Sequence, residues 1–242
     1  MKEQQAPSLQ KHQLVLGGEQ LMTTSLVKWQ QLLPEATFIN EYGPTETVVG
    51  CASFALKAAD AAQLSKAHVP IGKAIAGSHF YILDANLNPL PQGAIGELYI
   101  DSPSTALAYL NLPEQSAASF IKHTLSQNQR GVLYKSGDLA RLLGDGNYEY
   151  LGRIDNQLKI RGFRIEPGEI EAALLNIHGI EHAHINVNQQ QHLLAFYQSM
   201  QPLDDKNLQQ QLKASLPSFM VPQAFVHLAQ MPFTNNGKVD SK

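Results

Sequence analysis

Residues 37–46 read Thr37-Phe38-Ile39-Asn40-Glu41-Tyr42-Gly43-Pro44-Thr45-Glu46, a short apolar run that breaks into a polar turn containing glycine. Such a run bounded by a turn signal predicts a strand over 37–40. Upstream, Gln13-Leu14-Val15-Leu16 is a second run of the same kind, stopped by Gly17-Gly18. Between them, apolar residues recur at helical spacing from Leu21 to Leu33, and Pro34 closes the stretch, which predicts one helix. Strand, helix, strand is the order of a parallel α/β unit, and such units place ligands at the carboxyl ends of their strands. Both runs end in a polar segment with glycine, so a site is expected there.

From about Val69 to Tyr150 the texture changes. Short β-type runs at 79–83, 96–100 and 148–151 are separated by turn signals such as Asn88-Pro89 and Asp145-Gly146-Asn147, which predicts a small, mainly antiparallel β unit. Beyond Gly152 come a strand-like stretch over 157–160, a turn at Gly162 and a helix starting near Glu166-Pro167-Gly168, with Ile170, Ala173 and Leu174 on its apolar face. Residues 183–187 and 193–197 read as a hairpin around a Gln-rich turn, and 208–216 as a helix ended by Pro217. The last stretch, from about residue 156 to 242, is expected to be a small α+β unit of its own.

Composition narrows the function classes. Of 242 residues, 43% are hydrophobic and 16% charged, which fits a globular chain able to bury a core. A net charge of -3 provides no basic footprint, so nucleic acid is not an expected partner. The single cysteine, Cys51, leaves no internal disulfide framework and fits a reducing compartment. No run approaches bilayer length and the first residues lack a signal-peptide segment, so no membrane partner is expected and a cytoplasmic protein is.

Local chemistry alone leaves alternatives open. Asn40 to Glu46 packs a hydroxyl, two carboxylates and an aromatic ring into one loop after a strand, which suits a phosphate, a cation and a flat base. Taken by itself it is a solvated polar turn. Tyr134-Lys135-Ser136-Gly137-Asp138-Leu139 puts a carboxylate after a glycine, where it can accept from a ribose diol or simply form a turn. Asn235-Asn236-Gly237-Lys238 lacks the upstream glycine of a phosphate loop and reads as a flexible loop bearing a lysine. His178, His182 and His184 cluster locally, but alternation on a strand makes them exposed side chains rather than metal ligands. Cys51 has no evident histidine partner and reads as buried.

The order of the pieces carries more than any one of them. Leu14 to Glu19, Asn40 to Glu46, Gly96-Glu97-Leu98 with Ala108-Tyr109-Leu110, Tyr134 to Leu139, Gly152 to Glu166, Leu216 to Pro222 and Asn236 to Asp240 resemble, in order, the signature motifs of nonribosomal-peptide-synthetase amino-acid adenylation domains. The longest and most specific block is Gly152-Arg153-Ile154-Asp155-Asn156-Gln157-Leu158-Lys159-Ile160-Arg161-Gly162-Phe163-Arg164-Ile165-Glu166. The resemblance covers nearly the whole chain and places it in the adenylate-forming superfamily, with acyl-CoA ligases and luciferases.

That resemblance implies a combined α/β and α+β architecture. Residues 1–155 would be the C-terminal part of a large core subdomain, α/β over 1–65 and β-rich over 66–155. Residues 156–242 would be a mobile lid. It implies that Glu46 holds Mg²⁺, Thr45 bonds the ATP phosphates, Tyr42 stacks on adenine, and Gly17-Gly18 lie near base and substrate. Asp138 would bind the ribose, with Tyr150 and Arg153 lining the same pocket. Lys238 would bring a cation to the α-phosphate and substrate carboxylate. Asp155 would be the hinge for a rotation that exchanges Lys238 for Lys159 and Gly162 when the thioester forms.

The implied reaction is ATP-dependent activation of an amino acid as aminoacyl-AMP, then transfer to the phosphopantetheine thiol of a peptidyl carrier protein. Two family elements are missing: the Ser/Thr-Gly loop that wraps the β- and γ-phosphates, and the helix whose aspartate binds the α-amino group. Both belong to an N-terminal half, so the chain is expected to be an excised fragment, a split product or half of an assembled enzyme, inactive alone. Ser241 also stands where the family usually has arginine. The substrate side-chain pocket would include Val15, Gly17, Glu41, Val49 and Gly50. A carboxylate at Glu41 repels an acidic substrate and accepts from an amide NH₂, so L-asparagine is expected, with a cationic side chain as the physical alternative. An acyl- or aryl-CoA ligase, or a catalytically silent nucleotide- or carrier-binding module, are the alternative functions.

Overall fold

In the computed structural model, which describes residues 12–64, 67–128, 130–155, 157–188, 190–233 and 239, Leu14 and Leu16 point one way from their strand and Val15 and Gly17 the other. This strand, β1 (Gln13–Gly17), lies parallel to β2 (Thr37–Tyr42), with Leu14 opposite Phe38 and Gly17 opposite Glu41. Helix α1 (Thr23–Leu32) crosses between them and buries Leu26 against Phe38, Ala36 and Leu33, with Leu14 and Leu16 packed alongside. One face of the strand pair is thus core, and the other presents Val15, Gly17, Ile39 and Glu41. Phe38 is 1% exposed, so its truncation to alanine would cost about 3–5 kcal/mol.

The sheet continues antiparallel through β3 (Ala52–Lys57) and β4 (Lys73–Ala74), so it runs on past residue 65. Asn40 sits among apolar neighbours because its amide donates to the Pro70 carbonyl at 2.8 Å.

A second, five-stranded sheet follows, built from β5 (His79–Leu83), β6 (Gly96–Asp101), β7 (Phe120–Lys122), β8 (Val132–Leu142) and β9 (Tyr148–Arg153). Every pairing in it is antiparallel. A short helix, α2 (Pro113–Ser119), precedes β7. Strand β8 is the spine, and two irregularities interrupt it. Against β6, Glu97 pairs with Leu139 but Tyr99 with Lys135, so β8 carries extra residues around Gly137, which adopts φ +75°. Against β9, Leu139 pairs with Gly152 but Ala140 with Tyr150, leaving Leu151 over. The two bulges flank the pairing of Asp138 with Arg153.

The chain divides into two compact units, 1–155 and 156–242. The second has its own core, in which Ile170 and Leu174 of α3 (Pro167–Leu175) meet Leu208 and Leu212 of α4 (Asp205–Ser215) and the strand residues Ile185, Leu193 and Tyr197. The hairpin β10 (Leu158–Ile160) and β11 (Phe163–Ile165) opens the unit. Strands β12 (Ile180–Val187) and β13 (Leu193–Ser199) pair antiparallel, and β14 (Ala224–Leu228) adds to β13 in parallel. Helix α4 begins earlier than its apolar spacing predicts, because the Asp204 carboxylate accepts from the Asn207 N–H at 2.9 Å and caps it. The pattern is mixed α/β and α+β.

Candidate active site

The face of β1 and β2 that carries Val15, Gly17 and Glu41 is one wall of a cavity of about 550 Å³. The chain that leaves β2 supplies the rest: Gly43, Thr45, Val48 and Val49 line it, with Gly18 at the end of β1. The loop is tightly wound. Thr45–Thr47 is a single 3₁₀ turn, and Val48 and Val49 both take positive φ, +58° and +63°. Two β-branched residues in the left-handed region are strained, because their side chains crowd the backbone there. The loop is closed by Cys51 N–H donating to the Tyr42 carbonyl at 2.8 Å. A Cβ on Gly43 would lie 2.0 Å from the Val49 carbonyl oxygen, so only glycine lets the two arms of the loop pass.

The carboxylate of Glu41 lies over Gly50, where a Cβ would stand 2.2 Å from Oε1. Gly50 is therefore the floor under Glu41 rather than part of the cavity wall. Val15, Gly17, Glu41 and Val49 all line the cavity.

A second group forms where β2 meets β8 and β9. The Tyr42 hydroxyl donates to Asp138 Oδ2, and Arg153 Nη1 donates to Asp138 Oδ1 at 2.6 Å. The Asp138 N–H donates to Ser136 Oγ at 3.0 Å, which fixes the main chain of the bulge under this side chain. Arg153 also forms a fork with Asp155, Nε to Oδ1 at 2.6 Å and Nη2 to Oδ2 at 2.7 Å. Its guanidinium lies across Gly137, where a Cβ would meet Nη2 at 2.6 Å. Asp138 is 1% exposed and Tyr42 7%. Burial, then the Asp138 charge, push the Tyr42 phenol well above its usual range, and the same causes push Tyr150 up to about 12. The Tyr42 and Tyr150 rings stand 6.4 Å apart.

Glu46 sits on the 3₁₀ turn that follows β2. It is 6% exposed, and its Oε1 accepts from the Tyr109 hydroxyl at 2.5 Å. Thr45 precedes it on the same turn and opens to the cavity. Their oxygens are hard donors of the kind Mg²⁺ prefers, and one carboxylate beside substrate phosphates is its usual protein share. Among the described residues no group of three or more His, Cys, Asp or Glu stands together as a metal cage.

This geometry agrees with what similarity shows. Residues 1–110 match the family model described as AMP-binding enzyme. The chain is 40% identical over 239 residues to one of the proteins that make up mycosubtilin synthase in Bacillus subtilis, covering 97% of the chain and 9% of that protein. It is also 40% identical over 248 residues to bacitracin synthase 3 of Bacillus licheniformis, covering all of the chain and 4% of that protein. The solved structure of holo-PA1221, an NRPS protein containing adenylation and PCP domains bound to a vinylsulfonamide inhibitor, superposes with a TM-score of 0.80 at 27% identity, over 94% of the chain and 39% of the other. The chain is similar to adenylate-forming enzymes. It corresponds to part of an adenylation domain, and its likeness is to amino-acid-adenylating ligases. It spans a tenth or less of these synthetases, and about two-fifths of the solved chain.

The other residues expected in such a site belong to the second unit or lie outside the described residues. In the second unit Lys159 lies on β10, paired with Arg164 of β11, and Gly162 lies in the Arg161-Gly162 turn that joins the two strands. Lys238 lies outside the described residues. His184 meets Glu171 at 3.1 Å, and His182 packs its ring against Phe233, so neither is placed as a metal ligand. Cys51 is fully buried, and burial pushes its thiol up to about 11. Among the described residues no helix is long and apolar enough to cross a membrane. The sequence reading missed Val48 and Gly43 as lining residues and Tyr109 as the partner of Glu46. The Ala108-Tyr109-Leu110 block was the only available signal for the last.

Proposed function

We propose that the chain works as the C-terminal part of an amino-acid adenylation domain. In this reading it activates L-asparagine with ATP and delivers it to the phosphopantetheine thiol of a carrier protein. The observation that carries the reading is the adjacency along β2, within one unit, of a cavity floored by Glu41 and a buried carboxylate cluster at Asp138 that the next residue, Tyr42, reaches.

The roles follow from the atoms. Asp138 would accept from a ribose diol, with Tyr42 and Arg153 holding its carboxylate in place. Tyr42 and Tyr150 supply the aromatic side of that pocket, and the backbone at Gly17-Gly18 admits a ligand close to the sheet end. Glu46 would hold Mg²⁺ and Thr45 would bond phosphate oxygens; the ion would neutralise charge on the phosphates when bound. Glu41 would accept from the substrate's side-chain amide, while Val15 and Val49 wall the cavity. A substrate carboxylate would meet repulsion there. Lys238, the hinge at Asp155, and Lys159 with Gly162 take their roles in adenylation and thioester formation from the family resemblance alone. The phosphate loop and the α-amino aspartate would come from the rest of the domain.

The test is amino-acid-dependent exchange of pyrophosphate into ATP by the chain assembled with the rest of its adenylation domain. Asparagine should lead the panel, and Glu41→His should move preference toward aspartate. A large apolar amino acid in first place would remove the reading of Glu41. The isolated chain should exchange little, because the β- and γ-phosphates lose most of their donors. Robust exchange by it would show that the missing half is not required.

A further inference from the structure

Glu46 is held at two points by the loop that runs from β6 to α2. The Ala106 N–H donates to the Glu46 main-chain carbonyl at 2.7 Å, and the Tyr109 hydroxyl donates to its Oε1 at 2.5 Å. The segment is itself anchored. Arg130 donates to the Ala106 carbonyl at 3.1 Å and to that of Thr105 at 2.5 Å. The Tyr109 N–H donates to Ser116 Oγ at 2.9 Å, and the Tyr109 ring packs on Phe120 with centroids 5.3 Å apart. Ser116 in turn is fixed on α2 by its hydroxyl donating to the Leu112 carbonyl at 2.7 Å.

From this geometry we infer that Tyr109 is a positioning residue for Glu46, setting the plane in which the carboxylate meets the divalent cation of the ATP complex; the inference rests on the reading of Glu46 given above. A hydrogen bond to one oxygen fixes the plane of a carboxylate, because the donor must meet that oxygen's lone pairs. A phenol suits the task because its ring is rigid and its packing on Phe120 leaves the hydroxyl little choice of direction. A carboxylate held in this way loses less freedom when the ion arrives, and residues that orient metal ligands are typically worth about 10–100-fold in metal affinity.

Tyr109→Phe keeps the ring on Phe120 and deletes only the donor. The measurement is Mn²⁺ binding by water-proton relaxation in the complete adenylation domain with a nonhydrolysable ATP analogue, alongside analogue binding without cation and the amino-acid KM. Mn²⁺ should leave the ternary complex of Tyr109→Phe about tenfold more readily. Analogue affinity without cation and the KM should stay within about twofold, since nothing Tyr109 contacts touches them directly. Glu46→Gln should weaken Mn²⁺ at least as much, and Tyr109→Phe should add nothing in that background. Wild-type Mn²⁺ binding by Tyr109→Phe, with Glu46→Gln weakened, overturns the positioning role and leaves the reading of Glu46 standing. Wild-type binding by both variants removes Glu46 as the cation ligand, and the inference goes with it. An equal fall in analogue affinity without cation would make Tyr109 a general support of the loop, which also overturns the inference.

Discussion

The cluster at Asp138 and the cavity at Glu41 share strand β2 yet are built on opposite terms. Asp138 is 1% exposed and Tyr42 7%; Tyr42 and Arg153 both donate to the Asp138 carboxylate, and the Asp138 N–H donates to Ser136. The cavity is walled by Val15, Val48 and Val49, which are 58%, 64% and 71% exposed, and two of these sit in left-handed backbone. In the cluster every side chain is fixed by another, so its geometry is over-determined and a single loss propagates. In the cavity the side chains contribute little burial, and the loop backbone does the shaping. Such a wall can change its residues without unfolding the sheet, whereas the cluster cannot. Under the proposed function this division is apt: the nucleotide never varies, and the amino acid does.

The sharpest way to break the comparison is Asp138→Asn. It removes the charge shared by Tyr42 and Arg153 while keeping the shape. Charge-assisted hydrogen bonds contribute about 1.5–3 kcal/mol, so urea unfolding should show a loss of roughly that size. Arg153 retains its fork to Asp155, which keeps the loss below that of an orphaned buried charge. ATP affinity in the complete domain should fall by about two orders of magnitude if the ribose is bound here, since two further hydrogen bonds to the carboxylate weaken with it. An unfolding midpoint equal to wild type would show that the cluster is no more constrained than the cavity.

Gly50→Ala probes the cavity with a smaller expected effect. The added Cβ would stand 2.2 Å from Glu41 Oε1 and 2.5 Å from its Cδ, but the obstacle is the end of a flexible side chain rather than backbone. The carboxylate should swing away and the fold should hold, with stability changed by about 1 kcal/mol or less. Discrimination between asparagine and its competitors should fall by about 10–100-fold, and Glu41→Ala should do the same. Because both changes act through one carboxylate, the double variant should match the single ones. Additive losses would separate Gly50 from Glu41.

The two regions also differ in how much of them a sequence can show. The alternation of Leu14 and Leu16 against Val15, with Pro34 after a helical run, leads straight to β1, α1 and β2, and so to the sheet end where the cavity opens. The hairpin of β12 and β13 is equally legible from its two runs and the polar turn between them. Strand β3 was not, because Ala52-Ser53-Phe54-Ala55-Leu56-Lys57 is rich in small residues and owes its conformation to pairing with β2. Strand β14 was hidden for a related reason: it pairs in parallel with β13 across intervening helix α4, so no local turn announces it. Within the site, Asp138 and Arg153 were quoted from separate motifs, yet their direct pairing depends on the bulges at Gly137 and Leu151, which leave no pattern of period two to read. The contact of Tyr109 with Glu46 spans 63 positions and belongs wholly to tertiary packing.

Val49→Asn has the smallest effect and isolates what the strained loop contributes. Val49 holds φ +63° although its Cβ is branched, and its side chain is 71% exposed. Left-handed backbone costs an L-residue about 1–2 kcal/mol, and asparagine tolerates it better because its short polar side chain bonds locally. Little apolar burial is lost on substitution, so the strain term should win and the variant should be more stable by about 0.5–1 kcal/mol. In a chain of this size that is a rise of about 1–4 °C in thermal midpoint. The loop path should be preserved, since Gly43 must still pass the Val49 carbonyl and Cys51 N–H must still reach Tyr42. The substrate ranking in the exchange panel should therefore shift only through the lost apolar wall, with Glu41 unmoved. A variant less stable than wild type would show that Val49 is held by packing rather than by the loop. The cavity wall would then be as constrained as the carboxylate cluster, and the contrast between the two regions would fail.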